Sequence, residues 1–185
     1  NKLSERGQGV DYISVCSPNY LHDSHIRYAL RMNAHCICEK PLTLRPWNID
    51  GLSSVSQSTD KKVYTILQLR LHERVIALKK QVEDQLKSDP NHIFDVELTY
   101  VTSRGNWYYA SWKGDEEKSG GIATNIGVHF FDMLHWIFGP LVEQKVHVRS
   151  HDRASGVLFF KNAKVRWFLS INAATLPENV VQRGG

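Results

Sequence analysis

The sequence predicts an α/β protein in two parts. Residues 1–68 read as the C-terminal part of a doubly wound parallel sheet, and residues 69–185 as an α+β domain with an open, mainly antiparallel sheet. Three observations predict this. Short β-branched runs alternate with helical patterns from Tyr12 to Leu67, the pattern of parallel strands joined by crossover helices. After Pro90 the alternation stops, and one strongly apolar helix is followed by three closely spaced strand candidates. The 185 residues are 42% hydrophobic and 23% charged, enough apolar content for a packed core.

Tyr12-Ile13-Ser14-Val15-Cys16 reads as a strand closed by the turn signal Ser17-Pro18-Asn19. Asn19 reads as the N-cap of a helix over residues 20–32, with Leu21, Ile26, Ala29 and Leu30 as its apolar positions. His35-Cys36-Ile37-Cys38 is a second strand, closed by Glu39-Lys40-Pro41. Pro46 opens a helix that reaches Gln57, in the first turn where proline is best tolerated. Residues 63–67 form a third strand and residues 73–86 a third helix. Residues 93–102 alternate apolar and polar as a half-buried strand does, and an aromatic, glycine-containing loop follows. Gly127–Phe138 is an apolar helix stopped by Gly139-Pro140. Strands are expected over 142–148, 156–160 and 165–171, with the last two joined by a turn at Asn162-Ala163.

Composition excludes several functions. The net charge is +4, with basic and acidic residues spread over both parts, so no nucleic acid partner is expected. No apolar run approaches the roughly 20 residues that span a bilayer, so no membrane partner is expected. Three cysteines (Cys16, Cys36 and Cys38) are too few for a disulfide framework, and a reducing, cytoplasmic location is expected. Neither G-x-G-x-x-G, G-x-x-x-x-G-K-[ST] nor G-x-S-x-G occurs. The chain opens on a polar stretch, residues 1–9, and closes on Gln182-Arg183-Gly184-Gly185 after a β-rich segment. Both ends read as cut, with part of a binding site beyond them.

A doubly wound sheet binds ligands outside the carboxyl ends of its strands. Ser17-Pro18-Asn19, Glu39-Lys40-Pro41 and Gln68-Leu69-Arg70 are expected there. Pro41 biases Lys40 toward an extended backbone, which would fix where its ammonium points. An isolated lysine at a strand end is more commonly just solvated, and Glu39 is readable as a surface carboxylate. Asn125 and His129 stand four apart on one helix face, with Asp132 three further on. That spacing suits an imidazole oriented for acid–base work; the bland alternative is a histidine that caps or packs.

His129, Asp132 and His135 are spread too far round a helix to hold a metal tightly, and all three cysteines read as small buried apolar residues, so no metal is expected. Residues 103–109 and 111–114 combine aromatics with cations, suited to stacking a base and neutralising a phosphate, or to covering a subunit interface. Gly120-Gly121 could free backbone amides for an anion.

Together, Cys16-Ser17-Pro18-Asn19-Tyr20-Leu21-His22, Glu39-Lys40-Pro41, and Gly120-Gly121 leading to Asn125-Ile126-Gly127-Val128-His129-Phe130-Phe131-Asp132 resemble a known family. It is the glucose–fructose oxidoreductase / inositol dehydrogenase / rhizopine-catabolism (Gfo/Idh/MocA) family of NAD(P)-dependent sugar oxidoreductases. Within it, the chain is more similar to the bacterial branch acting on UDP-N-acetyl-2-amino-2-deoxyglucuronate. The matching stretches are 17–22, 37–41, 66–70, 99–107, 111–115, 118–125, 166–170 and 176–178. Asn125 stands where other family members often carry Asp and this branch carries Asn.

The resemblance implies a partial Rossmann domain lacking its first βαβ unit, then a partial substrate-binding and oligomerisation domain. It implies oxidation of the sugar 3-hydroxyl to a 3-keto group by NAD, in lipopolysaccharide O-antigen biosynthesis. Lys40 would contact the hydroxyl and help move its proton, His129 would be the main acid/base partner, and Asn125 would position the ring. Ser17, Pro18, Asn19, His22, Glu39, Lys40 and Gln68 would serve the cofactor. Arg104, Trp107 and Lys113 would join Lys40, Asn125 and His129 in binding the nucleotide sugar. Tetramers, and a tightly held NAD recycled by 2-oxoglutarate, are also implied. A chain without the first unit should bind NAD poorly, because the diphosphate contacts come from there, and the choice of NAD over NADP is left open. Two rivals stand beside this reading. One is a non-catalytic sensing or oligomerisation module, against which Lys40, Asn125 and His129 together speak; the other is a metal hydrolase built on His129 and Asp132.

Overall fold

The structure is a computed structural model that describes residues 9–176. The stretch before Gly9, Pro177-Glu178 and residues 182–185, all singled out above, lie outside the described residues. The chain divides into two compact units. The first holds the described residues up to Ile66 with Glu117–Gly120; the second holds Leu67–Glu116 and the described residues from Gly121 onward.

In the first unit, β1 (Tyr12–Val15), β2 (His35–Cys38) and β3 (Val63–Thr65) form a parallel sheet in that order. The crossovers are α1 (His22–Arg31) and α2 (Trp47–Thr59). His22, Ile26, Ala29 and Leu30 recur at helical spacing along α1 and are its buried residues. Ile26, Ala29 and Leu30 pack with Val15, Cys36, Cys38 and Leu52, while Asp23 and Arg27 pair at 2.8 Å across one turn of the helix's outer side. Asn33, at φ 59°, and Asp60, at φ 52°, turn the chain away just past the two helices in the left-handed region that Asn and Asp tolerate best.

Two expectations for this unit are corrected. Asn19 does not cap the helix: it opens a 3-10 turn (Asn19–Leu21), and α1 begins at His22. Asn19 is buried, its Nδ2 donating to the Ser119 carbonyl at 2.9 Å, and neither the 3-10 turn nor α1 has a side-chain cap hydrogen bond. Cys16 is exposed, whereas Cys36 and Cys38 are buried. The strand ends at Val15, and the pleat that turns Val15 inward turns Cys16 out.

In the second unit, β4 (Phe94–Val101), β5 (Leu141–Arg149), β6 (Arg153–Phe160) and β7 (Ala163–Ser170) form one sheet in the order β4-β7-β6-β5. The β5–β6 and β6–β7 pairs are antiparallel, and β4 runs parallel to β7. Helix α3 (Glu73–Ser88) precedes the sheet. The short α4 (Asn106–Ala110) and α6 (Gly121–Asn125) follow β4, with α5 (Glu116–Ser119), which falls mostly in the first unit, between them in sequence; then comes α7 (Gly127–Phe138). Ile122, Leu134, Leu158, Phe160, Val165, Trp167 and Leu169 share one core, and Phe131 meets the Trp167 ring edge-on at 5.1 Å. Each fully buried aliphatic side chain there contributes about 1.5–3 kcal/mol.

Close approaches and polar ties set this arrangement. A Cβ on Gly127 would lie 2.7 Å from the Phe131 ring and 2.9 Å from Leu169, so glycine lets the start of α7 sit against β7. The β6–β7 turn falls at Lys161-Asn162 rather than Asn162-Ala163, because Ala163 is already buried in β7. Asn162 Nδ2 donates to the Pro90 and His92 carbonyls, and the Phe94 amide donates to Asn162 O at 2.8 Å. These bonds bring the start of β4 alongside β7.

At the other end, Asp152 is 7% exposed and accepts from Ser150, from Arg153 Nε and Nη2, and from Asn172. Hydrogen bonds from Arg153, then Asn172 and Ser150, hold its carboxyl well below the usual carboxylate range.

Two further differences concern the helices. The aromatic stretch expected as a loop contains α4, because Tyr108 turns into the core (4% exposed) and its amide donates to Gly105 O. Asn125 and His129 do not share one unbroken helix: Asn125 ends α6 and His129 lies on α7, with Ile126 between them. The Ile126 amide still donates to Ile122 O at 2.9 Å, so the turn-to-turn spacing survives the joint. Among the described residues, no helix is long and apolar enough to cross a membrane.

Two outcomes follow from this packing. Gly156→Ala would place a Cβ 2.2 Å from the Lys145 carbonyl, a backbone atom held by the β5–β6 ladder. It should lower stability by about 1–3 kcal/mol or more in denaturant unfolding; an unchanged midpoint would contradict that contact. The depressed Asp152 pKa contributes stability at pH above the ordinary aspartate value, about 3.9, and that contribution is lost as pH falls toward the lower folded-state value. Asp152→Asn should therefore flatten the acid side of a melting-temperature profile relative to the unmodified protein, and parallel profiles would refute the linkage.

Candidate active site

Parallel pairing delivers the carboxyl ends of β1 and β2 to the same edge of the first sheet, and the two predicted turns sit there. The β1–β2 register ends at Val15 opposite Cys38, and the Glu39 amide donates to Val15 O at 2.9 Å. Beyond that point side chains take over. His22, 1% exposed, has Nε2 2.8 Å from the Ser17 carbonyl and Nδ1 2.7 Å from the Pro41 carbonyl. Ser17 Oγ and His25 Nδ1 share a hydrogen bond of 2.9 Å, and Asn19 is tied to Ser119. Ser17, Pro18, Glu39 and Lys40 are half-buried, facing partly outward, whereas Asn19 and His22 are inside. The fold thus joins Ser17, His22 and the Lys40-Pro41 turn into one braced edge, and the Lys40–Pro41 peptide is cis.

In the second unit, Gln68 is exposed at the start of a 3-10 turn (Gln68–Leu71). Two residues on, Arg70 makes a two-pronged ion pair with Asp132 of α7: Nε donates to Oδ2 at 2.7 Å and Nη2 to Oδ1. Sequence reading weighed Asp132 as a metal ligand; its carboxylate, only 13% exposed, is instead committed to Arg70. Among the described residues, no group of three or more His, Cys, Asp or Glu side chains is placed to hold a metal. Asn125 is 7% exposed and His129 half-buried, one on each side of the α6–α7 joint.

Arg104 donates its amide to Ile171 O and sets its guanidinium 6.0 Å from the Tyr108 ring centroid. Its Nε is buried without a hydrogen-bond partner among the described residues. Lys113 Nζ lies 5.4 Å from the Trp107 ring and 5.8 Å from the Trp112 ring, while Trp107 keeps 57% of its surface exposed. An exposed indole beside a cation is chemically fit for a flat base next to phosphate. Glu116, packed 3.3 Å from the Cβ position of Gly121, sets a carboxylate against the glycine pair that was weighed as an anion cradle. Sequence reasoning did not find Arg70 as the partner of Asp132, nor His25 as the partner of Ser17; neither pair has a local spacing signal.

A family model described as "Oxidoreductase family, NAD-binding Rossmann fold" matches residues 2–67, and one described as "Oxidoreductase family, C-terminal alpha/beta domain" matches residues 90–182. The WlbA (WbpB) dehydrogenase of Thermus thermophilus has been solved in complex with NAD and alpha-ketoglutarate, and with NAD and UDP-GlcNAcA. It is 49% identical to this chain with a TM-score of 0.88, over 96% of this chain and 56% of that one. An uncharacterized oxidoreductase of Synechocystis is 31% identical over 136 residues, covering 71% of this chain and 35% of its own length. Myo-inositol 2-dehydrogenase of Thermotoga maritima is 29% identical over 136 residues, covering 73% of this chain and 38% of its own length. The chain therefore spans well under half the length of these two curated relatives.

Burial raises the Cys36 thiol to about 11 and, with neighbouring charges, the Cys38 thiol to about 12, so both stay protonated and unreactive. Iodoacetamide under native conditions should label Cys16 alone, read by peptide mass; rapid labelling of Cys36 or Cys38 would contradict their burial.

Proposed function

The chain belongs to the Gfo/Idh/MocA oxidoreductase family, and from that premise we propose that its protein oxidises the 3-hydroxyl of UDP-N-acetyl-2-amino-2-deoxyglucuronate to the 3-keto sugar. NAD is the oxidant in this reading. The observation that carries it is the 49% identity, over 96% of this chain, to a dehydrogenase whose crystals hold NAD with UDP-GlcNAcA. The reading extends to a cytoplasmic tetramer in lipopolysaccharide O-antigen biosynthesis whose cofactor is recycled by 2-oxoglutarate. A non-catalytic module of the same fold would have no need of Lys40, Asn125 and His129 together.

The residues present fit the nicotinamide end of the cofactor. At the edge where β1 and β2 end, the half-buried Ser17, Pro18, Glu39 and Lys40 offer a hydroxyl, an apolar surface, a carboxylate for ribose and a cation. Asn19 and His22, buried and bonded inward, shape those turns rather than line them, and exposed Gln68 is assigned to the cofactor side. No G-x-G-x-x-G occurs in the 185 residues, and none of them is assigned to the diphosphate. When bound, NAD supplies the hydride acceptor.

The chain's own work is on the proton. A carbinol carbon releases hydride only as its hydroxyl proton leaves, so a base must reach that oxygen. His129 is the base in this proposal, and Lys40 stabilises the developing alkoxide with its ammonium. Asn125 holds the ring by hydrogen bonds, and Arg104, Trp107 and Lys113 hold the UDP group. The Arg70–Asp132 pair keeps the helix that carries His129 in place.

In the intact protein, Lys40→Met and His129→Ala should each lower turnover by about 10²–10⁴-fold while nucleotide binding survives. Steady-state assays with UDP-N-acetyl-2-amino-2-deoxyglucuronate beside calorimetry with NAD would check this. Near-normal turnover in both variants would sink the assignment.

A further inference from the structure

We infer that His22 is a positioning residue: a two-sided brace that donates a hydrogen bond from each ring nitrogen and so locks the turn after β1 to the turn that carries Lys40. The brace stands on geometry alone; its consequence for catalysis rests on the role proposed above for Lys40.

His22 is 1% exposed, with its nitrogens 2.7 Å from the Pro41 carbonyl and 2.8 Å from the Ser17 carbonyl. A carbonyl oxygen can only accept a hydrogen bond, and a neutral imidazole has a single N–H. With one proton, the ring would satisfy one carbonyl and press a bare lone pair against the other at hydrogen-bond distance, in a place shielded from water. With a proton on each nitrogen, both carbonyls are satisfied by charge-assisted bonds. The charged and titratable residues on the elements His22 joins are Cys16 on the first turn, Glu39 and Lys40 on the second, and Asp23, His25, Arg27 and Arg31 on α1.

The brace lies where the main chain no longer ties the strands. The β1–β2 register ends at Val15 opposite Cys38, and Ser17 and Pro41 lie beyond it. His22 carries the link onward from Ser17 O to Pro41 O, and Lys40 immediately precedes Pro41. Holding Pro41 O therefore holds the backbone from which the Lys40 side chain departs. The family resemblance implied that His22 lines the cofactor; a ring this buried, with both nitrogens occupied, acts through the turns instead.

The test uses intact protein labelled with ¹⁵N-histidine, with His22→Asn as the assignment control. Two protonated ring nitrogens for His22 are expected, and one protonated with one bare nitrogen would overturn the brace. Kinetics give the second reading. In His22→Asn and His22→Gln, kcat should fall about tenfold to a hundredfold, with the pH–rate profile displaced and the Kd for NAD nearly unchanged. A raised Kd for NAD with an unmoved profile would instead make His22 a cofactor contact and refute the positioning role. If Lys40→Met retains turnover while His22 keeps both protons, the catalytic proposal fails and the brace survives.

Discussion

Parallel pairing of β1, β2 and β3 is the constraint on which the first unit depends, because parallel strands must deliver their carboxyl ends to one edge. Nothing local in Ser17 or Lys40 would bring them near each other; the pairing of Val15 with Cys38 does. The sheet can pair this way because α1 and α2 seal the Val15–Cys36–Cys38 face, where water is excluded so thoroughly that two thiols lose their ordinary acidity. The same crossover geometry sets His22 at the start of α1, close to both turns. A helix whose first residue braces the strand ends joins the core to the edge in one element.

The second unit works differently. Its sheet is covered on one face, so its stability rests on a single layer of side chains and on how its strand ends are held. Polar groups do the holding. Asn162 ties the β6–β7 turn to the approach of β4, and Asp152 gathers Ser150, Arg153 and Asn172 at the opposite end. Between them, the absence of a side chain at Gly127 and Gly156 lets α7 and β5 approach where any Cβ would collide. The open face carries ion pairs instead, Arg166 with Asp95 and Glu97.

Both units brace the backbone that carries their candidate residues. Lys40 stands beside a carbonyl fixed by His22, and His129 rides on a helix pinned at Gly127 by close packing and at Asp132 by Arg70. Acid–base chemistry rewards such rigidity, because a misplaced donor or base forfeits most of its effect. The exposed Trp107 with its neighbouring lysine is the exception, open to solvent. That contrast, a braced backbone at the candidate acid–base residues and an open aromatic surface beside a cation, is the one the proposed roles call for.

Periodicity alone placed most elements: His35–Cys38 and Gly127–Phe138 were legible to the residue, because alternation and helical spacing are local properties. The Ser17, Lys40 and His129 segments were legible too, as residue types at particular strand and helix ends. What the sequence could not reveal were choices between local and distant partners. Asn19 has the composition of a cap, yet it opens a 3-10 turn and its Nδ2 donates to Ser119, one hundred residues away. Spacing named no partner for Asp132, and Arg70, sixty-two residues earlier, takes its carboxylate. Cys16 resembled its buried partners until the strand ended one residue early. Local spacing determines which element a residue joins; which partner its polar atoms take is decided only when the folded chain brings distant donors and acceptors together and burial penalises those left unpaired.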